Sequence, residues 1–450
     1  MSCSRIHHLS FLPLLFVLFH CTCVRANCFP ASPLISNPPT NDSLANATEV
    51  VLSDGTFSDV VEGNRTDAAT SEDNEGICVY PRSWWYAFTP TVSAEYRINS
   101  EVENGGPPDD EQNQVSLGIY TGATHPLTEL TCLNDDNAEG AGEVLNLPLT
   151  AGTTYYLRIA APEDANLEDI TTTVTELVYT WTGADDDEWN NAANWDLGAI
   201  PGETATARIP DEGFRLRLQE EQVLIGALLL EGGNVQIQDD AMLTVTGRNQ
   251  GIVITNNSRL TVEGDLEVSP LFGPAIELND GFIPIRETGT VVLQEMLYII
   301  EGQVDLEGAL RVSSNTGNGI EIVDGNLYCQ EGGEVIVDQT LGNGIELGAN
   351  GSVRIEGQFN VSNTSVNGIS LLGGSNFSIQ PTGILDVLNV GNNAIFIEDA
   401  TAELANSGKI SLNSVTNLLS SGDGFIFNTN NSILQAEGTF GSLVEFDEPC

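Results

Sequence analysis

The sequence predicts an all-β protein, an N-terminal antiparallel β-sandwich followed by a parallel β-helix. Three observations predict it. From about residue 223 the chain repeats a unit of roughly two dozen residues, apolar and polar residues alternate within each unit, and helical periodicity is almost absent throughout.

The repeat is the clearest of the three. One block recurs as Leu260-Thr-Val262-Glu-Gly264-Asp-Leu266-Glu-Val268-Ser269, Val304-Asp-Leu306-Glu-Gly308-Ala-Leu310-Arg-Val312-Ser313 and Val353-Arg-Ile355-Glu-Gly357-Gln-Phe359-Asn-Val361-Ser362. Its glycines stand 44 and 49 residues apart, two units each time. Ile252, Ile276, Ile299, Ile320, Ile345, Ile369 and Ile395 mark the single unit at intervals of 21 to 26. A helix-free unit of this length suits one three-stranded coil, stacked about 4.8 Å from the next. No coil buries its inner face alone, so these isoleucines are expected to form one internal column. Asn318, Asn343, Asn367 and Asn393 precede four of them by two residues. An asparagine ladder is expected there, on corners where Asn tolerates a left-handed backbone.

The N-terminal segment reads differently. Short alternating runs such as Trp84 to Phe88, Val115 to Tyr120 and Thr154 to Ile159 are separated by Gly, Asp, Asn and Pro clusters, the pattern of an antiparallel sandwich. The domain expectation is a signal peptide over 1–26, a leader over 27–40, the sandwich over 41–178, a Trp-rich cap over 179–222, coils over 223–440 and a tail over 441–450. Arg5, the apolar run Leu9 to Phe19 and the small-residue site Val24-Arg25-Ala26 predict export, with the chain secreted or at the cell surface. No later segment is long and apolar enough to predict a membrane span.

Blocks of the first domain carry a resemblance: Asn41-Asp42-Ser43, Ser83-Trp84-Trp85-Tyr86-Ala87-Phe88-Thr89, Leu117-Gly118-Ile119-Tyr120-Thr121-Gly122, Cys132-Leu133-Asn134-Asp135-Asp136 and Ala151-Gly152-Thr153-Thr154-Tyr155-Tyr156-Leu157-Arg158-Ile159. In this order they resemble the bacterial pre-peptidase C-terminal domain, which implies a non-catalytic accessory sandwich. Related clostridial collagen-binding domains hold calcium partly through an Asn-Asp pair at the domain start. The resemblance therefore brings in calcium as the one cofactor, with Asn41 and Asp42 as ligands, and the acidic loop with Asp135 and Asp136 is a separate candidate for the same ion. The acidic residues expected upstream are replaced by Asn37-Pro38-Pro39-Thr40, and Asn134 to Asn137 reads as an Asx-rich turn ahead of a metal loop. Trp181, Trp189 and Trp195 lie in a block similar to the Trp-Gly/Asn-Trp/Pro motif that introduces β-helical regions in bacterial secreted proteins. They could stack on sugar rings as ligand-binding residues or close the open end of the solenoid.

Charge and residue types narrow the function. With 64 Asp plus Glu against 15 Lys plus Arg the net charge is −49, which repels nucleic acid and anionic membranes. After cleavage His125 is the one histidine, and no nucleophilic triad, zinc motif or phosphate loop accompanies it. Cys28, Cys78 and Cys132 can supply one disulfide among them, Cys329 reads as a small buried residue, and Cys450 ends the chain. An acidic polysaccharide would need a basic groove, whereas Arg248, Arg259, Arg286, Arg311, Arg354 and Lys409 are spread over about 160 residues of the coils. The resulting expectation is a non-catalytic adhesion protein with glycans or extracellular matrix as partners. The alternatives are a carbohydrate-active enzyme using carboxylates on a solenoid face and a structural spacer.

Overall fold

The computed structural model describes residues 39–53, 56–62, 80, 82–91, 93–102, 115–122, 126–134, 143–162, 169–210, 213, 215–219, 221–247, 251–270, 273–398, 401–413, 417–421, 425–428, 433–437 and 445–446. Cys28, Cys78, His125, Asp135, Asp136, Arg248 and Cys450 lie outside them. No helix of the described residues is long and apolar enough to cross a membrane.

Alternation builds the N-terminal region. In Ala94–Val102 every second side chain is buried, as a strand with one face on a core requires. A five-stranded sheet runs in the order Thr48–Val50, Arg82–Phe88, Tyr155–Ala161, Ser116–Thr121, Thr128–Leu133. A four-stranded sheet runs Thr56–Val61, Ile170–Glu176, Ala94–Val102, Glu143–Leu149. Pairing is antiparallel except between Thr48–Val50 and Arg82–Phe88. Trp84, Tyr86 and Phe88 of the first sheet and Tyr96, Ile98 and Val174 of the second share one buried cluster. Cys132 is disulfide-bonded, and its partner lies outside the described residues.

The solenoid starts earlier than residue 223, because Val178–Thr180 already pairs in parallel with Thr206–Pro210. Each coil then contributes a strand to each of three parallel ladders. The first runs through Thr206–Pro210, Ala227–Glu231, Ile252–Thr255, Ile276–Leu278, Ile345–Leu347, Ile369–Leu371 and Asn393–Ile397. The second runs through Arg215–Leu218, Asn234–Ile237, Ser258–Val262, Gly281–Ile285, Ser352–Ile355, Asn376–Ile379 and Glu403–Asn406. The ten-residue strands Leu297–Leu306 and Ile320–Cys329 serve both ladders without a break. The third ladder is a ten-stranded sheet from Gln222–Ile225 to Ile433–Glu437.

Side chains pointing inward from all three ladders form one buried cluster. Full burial of each Val, Leu or Ile stabilises by roughly 1.5 to 3 kcal/mol, and stacking makes that gain available only to neighbouring coils. The register corrects the expected column. Ile252, Ile276, Ile320, Ile345, Ile369 and Ile395 do follow one another, but Leu297 occupies the place assigned to Ile299. Ile299 belongs to the adjacent inward column with Leu278 and Ile322. Residues two apart on a strand point the same way, so following isoleucine alone selected the wrong member of the pair.

Candidate functional site

Corners between the first and second ladders decide what the outer surface offers. At Gly302, whose φ is +112°, an added Cβ would stand 2.6 Å from Gly281 O, and at Gly325 it would stand 2.5 Å from Ile299 Cγ2 and 2.9 Å from Gly302 O. Only glycine lets successive rungs approach this closely here. Gly302 pairs with Gly325, and Gly281 precedes them on the rung before. The three make a floor without side chains along the solenoid axis.

Carboxylates stand on one side of that floor: Asp280 half-buried, Glu301 and Asp324 exposed. Phe282, Gln303 and Asn326 stand on the other, paired rung to rung. Together they line a groove of about 560 Å³. Glu301 and Asp324 are register partners, hence about 4.8 Å apart at Cα. None of these carboxylates has a hydrogen-bond or ion-pair partner among the described residues. The neighbouring acidic row differs in this respect, since Glu277 accepts from Asn279 Nδ2 at 2.8 Å, Glu321 from Asn318 Nδ2 at 3.1 Å and Glu346 from Asn343 Nδ2 at 2.6 Å. Burial, then Glu321 and Glu277, pushes the Tyr298 hydroxyl up beside that row. Glu295, buried, accepts from Ser314 Oγ at 3.0 Å and Thr316 Oγ1 at 2.8 Å. The row at Asp280, Glu301 and Asp324 thus differs from the neighbouring one in that its carboxylates line the groove without a partner among the described residues.

A second groove, of about 400 Å³, opens on the same ladder, beginning three rungs earlier in the stack and adjoining the first at Arg259 and Phe282. Arg215, Arg217, Arg259 and Arg286 line it with Asn234, Gln236, Thr261 and Glu263. The expectation that the cationic residues are scattered is corrected here. It counted the coils from residue 223 and so left out Arg215 and Arg217, and stacking brings residues 44 positions apart within two rungs of each other. Arg311 and Arg354 remain as expected on the outside, each exposed and paired with a glutamate, Glu334 and Glu356.

The other singled-out residues serve the scaffold. Trp181, Trp189 and Trp195 are buried and pack edge to face, with ring centroids 5.1 and 4.9 Å apart. Trp195 Nε1 donates to Trp189 O at 3.0 Å. Their reading as ligand-binding residues is corrected, because rings inside the core cluster have no face for a sugar. Asn194 ties this cap together, accepting from the Asp185 and Asp186 amides and donating to Asp186 Oδ1 and Glu188 O. Hydrogen bonds from those neighbours hold the Asp186 carboxyl below the usual range, and Arg217 does the same to Asp187. Asn41 is buried and donates to Trp85 O at 2.9 Å, so its amide nitrogen fastens the first sheet; Asp42 is half-buried beside it. No group of His, Cys, Asp and Glu among the described residues is arranged to hold a metal ion.

Asn318, Asn343, Asn367 and Asn393 are joined in series. The amides of Asn343, Asn367 and Asn393 donate to the Oδ1 of the preceding Asn at 2.9, 3.1 and 3.2 Å. Side-chain bonds of 3.1 Å (Asn367 to Asn343) and 2.9 Å (Asn393 to Asn367) run alongside. The left-handed corners lie elsewhere, at Gln339, Asn363 and Asn389, where φ is 57°, 52° and 59°. The ladder residues keep ordinary φ and are placed by these bonds instead.

Sequence reasoning missed the acidic groove. A signal exists: Asp280-Gly281-Phe282, Glu301-Gly302-Gln303 and Asp324-Gly325-Asn326 are one acidic-Gly-x motif at intervals of 21 and 23.

No family model and no curated protein matches the chain. Among solved structures it is similar to the "Agl-KA catalytic domain", at 11% identity and TM-score 0.23, covering 86% of this chain and 96% of that one. It is also similar to the catalytic domain of a GH87 alpha-1,3-glucanase in complex with nigerose, at 10% identity and TM-score 0.25, covering 81% and 92%. A third is the catalytic unit of the thermostable GH87 alpha-1,3-glucanase from Streptomyces thermodiastaticus strain HF3-3, at 10% identity and TM-score 0.17, covering 81% and 89%. The solved structures it is similar to are catalytic domains, two of them of GH87 alpha-1,3-glucanases, whereas the sequence leads to the expectation of a non-catalytic adhesion or matrix protein; that expectation is set aside.

Proposed function

We propose that this protein is a carbohydrate-active enzyme that hydrolyses a glycan laid along the second ladder of the solenoid. The observation that carries the reading is the row of unpartnered carboxylates, Asp280, Glu301 and Asp324, over a glycine floor and opposite Phe282. Glycan is the substrate class this arrangement suits. Rungs repeat at about 4.8 Å, close to the length of one sugar residue, and Phe282 offers an aromatic edge beside amide groups that can bond hydroxyls.

The chemistry needs two carboxyl groups. With roughly 5 to 5.5 Å between them, one attacks the anomeric carbon while the other protonates the departing glycosidic oxygen, and water then releases the glycosyl intermediate with retention. Glu301 and Asp324 stand one rung apart, about 4.8 Å at Cα, near enough for their carboxyl groups to take these two parts. Asp280, two rungs from Asp324, sits where it can hold a sugar hydroxyl. In this reading the N-terminal sheets form an accessory sandwich similar to the pre-peptidase C-terminal domain, and the signal peptide sends the enzyme out of the cell to its substrate.

The test incubates the purified protein with a panel of plant, algal and microbial polysaccharides and follows reducing ends and product size. Wild type should shorten at least one of them, and Glu301→Gln and Asp324→Asn should each lose roughly 10²- to 10⁴-fold in rate. Absence of any cleavage by wild type, or wild-type rates in both variants, would overturn the proposal.

A further inference from the structure

We infer that the arginine groove is a subsite for a negatively charged sugar, one bearing a carboxylate or a sulfate ester. The inference rests on the glycan reading above and adds the charge of the substrate. Its starting point is an imbalance. In a chain with 64 acidic and 15 basic residues a guanidinium finds a carboxylate easily, and Arg208, Arg217, Arg286, Arg311 and Arg354 each do. Arg215 and Arg259 do not. Arg215 makes no hydrogen bond or ion pair among the described residues. Arg259 has only the hydroxyl of Thr261, which accepts from its Nε at 3.1 Å, and the ring of Phe282, 4.9 Å from its guanidinium carbon.

Both face the same groove. Arg215 and Arg259 flank Asn234 in the rung order, which puts them about 10 Å apart along the axis. Thr261 and Phe282 fix the plane of the Arg259 guanidinium and leave its terminal nitrogens undirected toward protein. A planar fork held in this way matches two oxygens of a carboxylate or sulfate. Beside it, Arg217 and Arg286 are turned to Asp187 and Glu307. The acidic group inside the groove, Glu263, accepts from Gln236 Nε2 at 2.9 Å. The cationic end therefore points at space, and in a molecule of net charge −49 a concave site is where an opposite field survives.

Phe282 connects this groove to the carboxylate row, since it carries Arg259 on its ring and lines the acidic groove as well. Arg259 and Phe282 are register partners, and Gln303 follows on the next rung. A glycan lying along the axis would place a charged residue on Arg259 and Arg215 while its neighbours pass Glu301 and Asp324. Ester or uronate groups would then be recognised about two to five sugars from the bond that is cut.

Calorimetry on the full chain with a galacturonate trisaccharide, a sulfated galactan oligosaccharide and its neutral galactan counterpart tests this. Wild type should prefer at least one charged ligand over the neutral one by tenfold or more, and the preference should weaken with added salt. Arg215→Gln, which removes no contact with described residues, and Arg259→Gln should each reduce that preference severalfold, with thermal melts showing both variants folded. Response to the carboxylate alone or the sulfate alone identifies the source of the charge. No preference in wild type, or full preference in both variants, overturns the inference. The two proposals separate cleanly. Cleavage of neutral glycan without arginine dependence keeps the hydrolase and removes the subsite, while arginine-dependent binding without any cleavage does the reverse.

Discussion

Replacing Asn367 by alanine isolates what the internal asparagine series contributes. Asn367 is 8% exposed, and truncation removes the bond from its Nδ2 to Asn343 Oδ1 and both bonds that Asn393 donates to its Oδ1. At a net value of about 1 kcal/mol for each, the loss is about 3 kcal/mol. With a denaturant dependence of about 3 kcal/mol/M, the urea midpoint should fall by roughly 1 M. Asn376→Ala is the control, because its side chain is exposed and bonds to nothing described; surface changes of that kind stay within about 0.5 kcal/mol. Hydrogen exchange read by mass spectrometry should also speed up at residues 343, 367 and 393. Equal midpoints for Asn367→Ala and the control, with unchanged exchange, would refute the idea that the series holds the coils in place.

Two further outcomes follow from buried groups. Burial pushes the Cys329 thiol up to about 12, and it is 1% exposed and unpaired, so a thiolate-directed reagent at pH 8 should label it only at the rate of unfolding; prompt labelling in native buffer would contradict its placement. Trp195→Ala should cost roughly 3 to 5 kcal/mol and shift tryptophan emission to the red, since Trp181 and Trp189 both pack against that ring; an unchanged spectrum would show that the three rings do not close the coil stack.

Much of the interior was legible because it obeys a rule of two. Inward columns alternate strictly, so the three-stranded coil followed from the blocks around Gly264, Gly308 and Gly357 without reference to any one side chain. The slip at Ile299 shows where that rule stops, since alternation names a set of equivalent positions and cannot rank Leu297 against Ile299. The tryptophans were ambiguous for another reason, as a ring that closes a core and one that stacks on sugar have the same composition and differ only in burial. Outward residues were the least legible. Carboxylates are so common here that Asp280, Glu301 and Asp324 do not stand out, and the arginine pair spans residues 215 to 259 across an assumed domain boundary.

Coil length explains why the site falls where it does. Repeat intervals along the first ladder run from 24 to 26 residues at most coils but contract to 21 between Ile276 and Leu297 and to 23 between Leu297 and Ile320. The contraction comes from the first corner. At the coils of Leu297–Leu306 and Ile320–Cys329 the strand bends at Gly302 and Gly325 with no turn residues at all. In the next coil Ile345–Leu347 and Ser352–Ile355 are separated by residues 348–351, whose amides at Gly348 and Asn350 donate back to Ile322 O and Val323 O. The longer turn rests on Ile322 and Val323, the two residues before Asp324, which is the last carboxylate of the acidic groove. A groove therefore opens where the coils are shortest and closes where they lengthen, while the inward columns hold the strands in register on both sides. Lengthening a corner costs the core nothing, because turn residues leave the stacked columns untouched. The same freedom that lets surface loops vary in a repeat protein here sets the boundaries of a site whose functional groups come from three separate coils.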